Sequence, residues 1–179
     1  MTLSPEVERD WVRRAAGGEL AAQEMLFNEH KGMVFAVGLS ICGNAADADE
    51  VVQESFLRAF RSLADWRGDA RFSTWIYSIA VRTALNWKTR FVKRPPPPPR
   101  DEAETPPPEL EREEAVAALM AAIEELPLQQ RLALTLKHLR RLSLEEVAEL
   151  QGIAVGTVKS NLHHAVAKLR DLLEARALL

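Results

Sequence analysis

Residues 142–173 read LSLEEVAELQGIAVGTVKSNLHHAVAKLRDLL, and this stretch decides the fold of the second half of the chain. Ser143 stands three residues before Glu146, which is the spacing of a capping box at the start of a helix. Gly152 supplies the backbone freedom that a tight turn needs. Apolar residues then recur at steps of three and four over residues 155–173. The stretch therefore predicts a helix-turn-helix whose second helix buries one face and presents the other.

The outward face of this second helix is rich in hydrogen-bonding side chains, and the sequence has no carboxylate between Ala154 and Arg170. Such a face suits the major groove of DNA, where it meets base edges and phosphates. A structural hairpin has the same apolar spacing but does not require a face free of acidic groups. The pattern thus favours DNA binding. The residues predicted to contact DNA are Thr157, Lys159, Ser160, Asn161, His163 and His164.

Charge is segregated along the 179 residues, although the net charge is only −3. Residues 1–54 contain four Lys and Arg residues and ten Asp and Glu residues, whereas residues 55–100 contain ten Lys and Arg residues and two Asp residues. Residues 127–179 are again basic, with eight Lys and Arg residues and five Asp and Glu residues. Basic blocks separated by acidic ones indicate two contacts with a polyanion and at least one other partner.

Several classes of protein are disfavoured by composition. Cys42 is the only cysteine, so no intrachain disulfide can form, and a single thiol fits a reducing cytoplasm. This cysteine and the four histidines show no metal-ligand spacing, so we expect no metal and no cofactor. No window has the roughly 18 apolar residues of a membrane span, and the acidic N-terminus lacks the apolar part of a secretion signal. We expect a cytoplasmic protein with no membrane contact of its own.

A proline-rich segment divides the chain. Residues 94–100 read RPPPPPR, and a proline triplet follows at residues 106–108. Consecutive prolines are excluded from helix and sheet interiors and form an extended, semi-rigid spacer. We predict a domain over residues 1–94, a Pro-rich acidic linker over residues 95–110 and a second domain over residues 111–179.

Apolar residues recur at helical spacing through both predicted domains, and no run alternates with a period of two. In the first domain the pattern predicts helices over residues 19–42 and 72–91, with a third helix between them that Asp47 caps. In the second domain it predicts a helix that ends at Pro127 and another over residues 129–139. The expected fold class is all-α, with two small helical domains joined by the linker.

Aromatic residues concentrate where the chain is most basic. Eight of the eleven aromatic residues lie between Phe56 and Phe91. From Trp66 to Trp75, aromatic residues and arginines surround a Gly-Asp pair. Aromatic faces stack on unpaired bases, while arginines hold the phosphate backbone. The block favours capture of single-stranded nucleic acid, although for Trp66, Phe72 and Trp75 taken singly a core role is equally well supported.

Together these segments resemble a group 4, or extracytoplasmic-function (ECF), sigma factor of bacterial RNA polymerase, in the sigma-70 family. The resemblance rests on DADEVVQESFLRAFR at residues 47–61, FSTWIYSIAVRTALNW at residues 72–87, LPLQQRLALTLKHL at residues 126–139, the proline linker and the helix-turn-helix. It covers residues 19–173 in the family's order and spacing. It implies a factor, monomeric when free, that brings core RNA polymerase to promoter DNA and does no covalent chemistry itself.

The resemblance also implies roles for particular residues. The helix over residues 47–61 would dock on the clamp of the largest polymerase subunit, through Asp49, Gln53, Glu54 and Leu57. The segment that follows would open the −10 element and read its flipped bases. That segment contributes Arg71, Phe72, Ser73, Thr74, Trp75, Tyr77, Arg82, Asn86, Lys88 and Arg90. The outward face of the second helix-turn-helix helix would read the −35 element. An anti-sigma factor that clamps both domains is implied as a further partner.

Some positions depart from the family's pattern. Arg82 stands where Asn is usual, so base selection at the −10 element is expected to differ. Ala154 replaces a small hydroxyl cap, and the loss of a cap costs on the order of 1 kcal/mol. Asn161, His164 and Val166 replace arginines, so we expect weak −35 binding away from polymerase and a shallow salt dependence. If His164 faces a phosphate, binding should strengthen as the pH falls.

Two other classes of function are weighed against this one. An autonomous helix-turn-helix regulator would need a ligand pocket or a dimer interface, and it leaves the basic aromatic block unexplained. An enzyme acting on nucleic acid would need paired carboxylates for a metal, an activated nucleophile or a phosphate-binding glycine loop. The sequence shows none of these arrangements, and it therefore favours the sigma factor.

Overall fold

The computed structural model describes residues 4–66, 68–91 and 118–175, and within these ranges every regular element is helical. This confirms the all-α class. The elements are α1 (Pro5–Ala16), α2 (Leu20–Cys42), α3 (Ala45–Arg61), a 3₁₀ turn (Leu63–Asp65), α4 (Phe72–Phe91), α5 (described over residues 118–124), α6 (Leu128–His138), α7 (Leu144–Gln151) and α8 (Val155–Ala175). The linker predicted over residues 95–110 lies outside the described residues.

Helix α1 was not among the predicted elements, yet the sequence carries a signal for it. The Ser4 hydroxyl accepts a hydrogen bond from the N–H of Val7 at 3.4 Å, and Pro5 occupies the first helical position. Val12 and Ala15 are buried, and α1 packs against α2. A Ser-Pro pair ahead of apolar residues three and four apart is a helix start.

Helix α2 is the centre of the N-terminal half and contacts α1, α3 and α4. Gly38 allows α3 to approach closely, because a Cβ at this position would lie 3.0 Å from the Cα of Ala48. Gly43 then ends α2 in the left-handed conformation, at a φ of 83°, as the sequence predicts. Two backbone positions without a side chain therefore set where α2 ends and how α3 lies against it.

The predicted cap of α3 is wrong by three residues. Asn44 is the N-cap, and its Oδ1 accepts the N–H of Asp47 at 2.9 Å. Asp47 lies in the first turn, where its carboxylate accepts a hydrogen bond from Asn44 Nδ2 at 2.8 Å. Asn44 is the cap because Gly43 ends α2 directly before it, so the new helix can begin at Ala45.

The C-terminal half packs α6, α7 and α8 around a small apolar core. The buried Arg131 donates through Nη1 to the carbonyl of Glu124 at 3.0 Å, and thereby satisfies a free acceptor at the end of α5. The Lys168 ammonium donates to the carbonyl of Glu125 at 2.8 Å. The core side chains include Leu132, Leu136, Val147, Val158 and Ala165.

The predicted helix-turn-helix is confirmed. The Ser143 hydroxyl accepts the N–H of Glu146 at 3.1 Å, and the Glu146 carboxylate accepts the N–H of Ser143 at 2.7 Å. Gly152 ends α7 in the left-handed conformation, at a φ of 66°. Val158 and Ala165 on one face of α8 are buried, so the opposite face of this helix is directed outward.

The two halves pack against each other. Helix α6 contacts α2 and α7 contacts α4, so that buried residues of both halves belong to one continuous apolar cluster. The guanidinium of Arg140 occupies the space beside Gly32, where an added Cβ would lie 2.5 Å from Nη1. In this arrangement the first helix of the helix-turn-helix lies against the helix that carries the predicted −10 residues.

Cys42 is half-buried in the N-terminal half. Its Sγ lies 3.9 Å from the carbonyl oxygen of Ala84, between α2 and α4. Burial raises the pKa of this thiol to about 11, with a further contribution from the nearby Asp47 carboxylate. The thiol is therefore protonated and unreactive at neutral pH.

Candidate nucleic-acid and polymerase interfaces

The predicted polymerase contacts lie on α3. Asp49, Gln53 and Leu57 are spaced by four residues and form one exposed stripe, in which Leu57 keeps 51% of its surface accessible. Glu54 lies beside the stripe and pairs with Arg58 at 2.7 Å, which fixes the direction of its carboxylate. The structure thus brings the four residues together on one acidic, partly apolar surface.

The predicted −10 residues divide into a buried and an exposed group. Phe72 is 0% exposed, with its ring 5.2 Å from that of His30 and 5.7 Å from that of Trp75. Tyr77 is 6% exposed, and burial raises its pKa to about 12 while the neighbouring Gln151 of α7 lowers it. Ser73, Thr74 and Trp75 are half-buried. In this conformation two of the aromatic residues belong to the core.

Further along α4 the predicted residues face solvent. Arg82, Asn86 and Arg90 are exposed and spaced by four, so they form one polar stripe. Lys88 lies half-buried beside them. This stripe can follow a phosphate backbone without any rearrangement of the bundle.

A cleft of about 320 Å³ opens beside the start of α4. Its walls include Trp66, Thr74 and Trp75, together with the backbone at Gly68. The Thr74 hydroxyl is buried without a hydrogen-bond partner among the described residues. A flipped base needs aromatic or apolar walls and a few polar groups. Trp66 therefore joins the candidate site, as the basic aromatic block of the sequence indicates.

The predicted −35 residues lie together on the outer face of α8. Thr157, Ser160, Asn161 and His164 follow the three-and-four spacing of one helix face, and all but the half-buried Asn161 are exposed. Lys159 and His163 lie beside this face and are exposed as well. At the start of α8, the carbonyl of Ala154 accepts the N–H groups of Thr157 and Val158.

A buried carboxylate at the entrance of α4 was missed by sequence reasoning. Glu8 of α1 lies 3.4 Å from Nε2 of His30 and 3.5 Å from Nε of Arg71. Burial by itself raises the pKa of Glu8, but His30, the Arg71 charge and the backbone N–H of Ser73 together hold it below its ordinary value. Glu8 is therefore a carboxylate at neutral pH.

Neither a metal-binding group nor a membrane-spanning helix is found in the part of the chain that the structure describes. Within those residues, no group of three or more His, Cys, Asp or Glu side chains could hold a metal ion. Among the same residues, no helix combines the length and the apolar character that crossing a membrane requires.

Comparison with known proteins identifies the family. The Sigma-70 region 2 profile matches residues 26–93, and the Sigma-70, region 4 profile matches residues 117–169. The chain is 34% identical over 168 residues to the ECF RNA polymerase sigma-E factor of Salmonella typhimurium, a match that covers 86% of this chain and 87% of that protein. This chain belongs to the ECF family of sigma factors.

Two further matches agree with this assignment. The ECF sigma factor is 30% identical over 177 residues to the RNA polymerase sigma-H factor of Pseudomonas aeruginosa, with 91% of this chain and 92% of that protein covered. The structure of CnrH in complex with the cytosolic domain of CnrY matches with a TM-score of 0.68 at 25% identity, and covers 94% of this chain and 97% of that chain.

The function follows from the family. This protein is a sigma factor that directs RNA polymerase to promoters and takes part in transcription initiation. Sigma factors are regulatory proteins rather than catalysts. The resemblance inferred from the sequence is confirmed, and the sigma factor is favoured over an autonomous regulator.

Proposed function

We propose that this sigma factor reads the −10 element with the start of α4 and the −35 element with the outer face of α8. The corresponding domains are residues 1–94 and 111–179, and residues 95–110 connect them. The observation that supports the −10 assignment most directly is the cleft between Trp66 and Trp75, which offers two indole walls to an unpaired base.

The −10 assignment is tested by opening of a promoter in the complete holoenzyme. Mapping transcript start sites after overexpression supplies the promoter, and permanganate reactivity of unpaired thymines measures its opening. Stacking on one aromatic side chain is worth about 1–3 kcal/mol, so Trp75→Ala should lower opening roughly 5-fold to 100-fold. Trp75→Phe keeps an aromatic face and serves as the control. Wild-type opening by Trp75→Ala would remove this assignment.

The docking assignment on α3 predicts that one exposed leucine matters for polymerase and another does not. Leu57→Glu should abolish comigration with core polymerase on gel filtration, because it replaces the apolar member of the exposed stripe with a charge. Leu20→Glu introduces the same group at another exposed leucine and should comigrate normally. Equal behaviour of the two variants would contradict the assignment.

The packing of the two halves supports an inactive state of the free protein. Tyr77 is covered where α7 meets α4, so the C-terminal half hides part of the proposed −10 reader. CnrH is bound to the cytosolic domain of another protein, CnrY. We propose that an anti-sigma protein holds this sigma factor in the compact arrangement, and that polymerase binds the separated form.

Compaction is tested at Gly32, where an added Cβ would lie 2.5 Å from Nη1 of Arg140 and the guanidinium would have to move. Gly32→Lys adds bulk and a like charge against the guanidinium, and it should raise the radius of gyration in X-ray scattering and speed holoenzyme formation. Ala21→Lys adds the same charge at an exposed position of α2. The idea fails if both variants scatter like the wild type, and copurification from the host tests for a stoichiometric inhibitor.

We also propose that the free protein is a cytoplasmic monomer that does no covalent chemistry. Its support is the family, whose members are regulatory proteins rather than catalysts. Cell fractionation and light scattering after gel filtration test the first two points. Incubation with labelled promoter DNA and magnesium, without polymerase, should leave the DNA unchanged.

A further inference from the structure

Helix α1 precedes the segment that the region 2 profile matches, yet it delivers a buried carboxylate to the entrance of α4. Glu8 is 2% exposed, whereas its neighbours on α1, Glu6 and Arg9, are exposed. A carboxylate in this position requires an explanation, because burying a charge is unfavourable unless specific partners compensate for it.

The partners of Glu8 belong to the first turn of α4. Arg71, directly before the helix, lies with Nε 3.5 Å from one carboxylate oxygen, and the backbone N–H of Ser73 faces the same group. The first N–H groups of a helix have no acceptor within the helix. The Arg71 side chain cannot serve as a cap, because a guanidinium has no acceptor. Glu8 therefore supplies from α1 the acceptor that the local sequence lacks.

The other side of the carboxylate is closed by α2. Nε2 of His30 lies 3.4 Å from the second Glu8 oxygen, and the His30 ring packs at 5.2 Å from the ring of Phe72. The carboxylate thus joins three helices at the point where α4 begins. A negative charge at this point also interacts favourably with the positive, N-terminal end of the α4 dipole.

A purely structural role explains these contacts less well. Val12 and Ala15 already pack α1 against the bundle, and replacing a buried ion pair by apolar residues is often neutral or stabilising. What an apolar residue cannot do is fix the direction of a guanidinium and hold the N–H of Ser73. The contacts of Glu8 therefore specify the geometry of this turn.

We propose that Glu8 is a positioning residue for promoter opening. It holds Arg71 and the first turn of α4 in the geometry that receives the −10 strand. This turn therefore does not have to become ordered when the strand binds. This inference rests on the proposed −10 role of the start of α4. It adds α1, which the region 2 match does not include, to the parts of the protein that determine opening.

The test uses holoenzyme assembled from the full chain and core polymerase on the mapped promoter. Glu8→Gln removes the charge but keeps the shape, and Glu6→Gln makes the same change at an exposed position of α1. Loss of a hydrogen bond to a charged group predicts roughly tenfold slower opening for Glu8→Gln. Polymerase affinity should stay within about twofold for both variants, because neither substitution alters the proposed docking residues on α3.

Hydrogen exchange on the free protein gives a second readout. The amides of Ser73 and Thr74 should exchange faster in Glu8→Gln, while those of α8 should not change. Arg71→Gln combined with Glu8→Gln should slow opening no more than the larger single effect, because the two residues act as a unit. If Glu8→Gln does not fold, Glu8→Asp, which retracts the charge by one methylene, should open more slowly than wild type.

Each outcome decides the inference. Wild-type opening by a folded Glu8 variant overturns it, and so does a parallel loss of opening and polymerase affinity, which would indicate general destabilisation. Trp75→Ala in the same assay separates the two proposals. Normal opening by Trp75→Ala refutes the −10 assignment itself, whereas slow opening by Trp75→Ala with normal opening by Glu8→Gln refutes only the role of Glu8.

Discussion

The two proposed DNA-reading segments differ in how they are presented. The proposed reading face of α8 is polar and mostly exposed, and the opposite face of this helix buries Val158 and Ala165. The start of α4, in contrast, holds Phe72 and Tyr77 in the core. A DNA duplex is recognised by polar side chains, which are readily solvated, so the helix that recognises it can lie on the protein surface. Unpaired bases are captured by aromatic faces, and at the start of α4 two of the predicted aromatic residues are covered by the fold.

The largest expected effect concerns stability at these two segments. Phe72→Ala should lower the free energy of unfolding by about 3–5 kcal/mol, because it empties a fully buried site. Thr157→Ala on α8 should change it by less than about 0.5 kcal/mol. Urea unfolding followed by circular dichroism measures both. Similar losses of unfolding free energy in the two variants would contradict the distinction between a buried and an exposed DNA-reading segment.

A smaller effect is expected at the capping box. Ser143→Ala removes the acceptor for the N–H of Glu146 and should cost about 1 kcal/mol. Ser160→Ala deletes a hydroxyl from the exposed face of α8 and serves as the matched control. Thermal unfolding of the full chain measures the difference. A cost no greater than that of the control would mean that α7 does not depend on its cap.

The dependence of the unfolding free energy on pH gives a further test for the N-terminal half. The pKa of Glu8 lies below its ordinary value of 4.5 in the folded protein, so the carboxylate stabilises the fold above that pH and loses this contribution as the pH falls further. The difference in unfolding free energy between wild type and Glu8→Gln should therefore narrow below about pH 4.5. For Glu6→Gln no such narrowing is expected in the same urea titrations.

The smallest effect on stability is expected at Lys159, where only DNA binding should respond. Lys159→Gln removes one charge from the exposed face of α8 and should reduce the slope of log affinity against log salt by about 1. Fluorescence anisotropy of holoenzyme on promoter DNA, at several salt concentrations, gives the slope. An unchanged slope would show that Lys159 does not contact a phosphate, and Ser160→Ala provides the uncharged comparison.

Much of the fold follows from local patterns in the sequence. The capping box at Ser143, the turn at Gly152 and the bounds of α4 all appear where apolar spacing and turn residues place them. The outer face of α8 could be assigned for the same reason, since one helix determines which of its residues point outward. Within one helix, sequence spacing is sufficient information.

What the sequence could not provide depends on contacts between distant segments. Glu8 and Arg71 are 63 residues apart, and no local pattern relates a carboxylate on α1 to the start of α4. The burial of Tyr77 likewise depends on α7, which lies beyond the linker. The cap of α3 is a different case, because its deciding signal is local: Gly43 ends α2 directly before Asn44, although Asn44 and Asp47 are both acceptable caps.

The hydrogen atom that Gly32 carries in place of a side chain has a consequence for how such a regulator evolves. Arg140 occupies that space, and Gly32 lies within a helix, where any larger residue except proline is compatible with the backbone. In the proposed mechanism, in which polymerase binds the separated form, a single substitution at this position alters how readily the two halves part and leaves the residues proposed to meet DNA unchanged. The threshold for activation and the choice of promoter can therefore be inherited as separate traits.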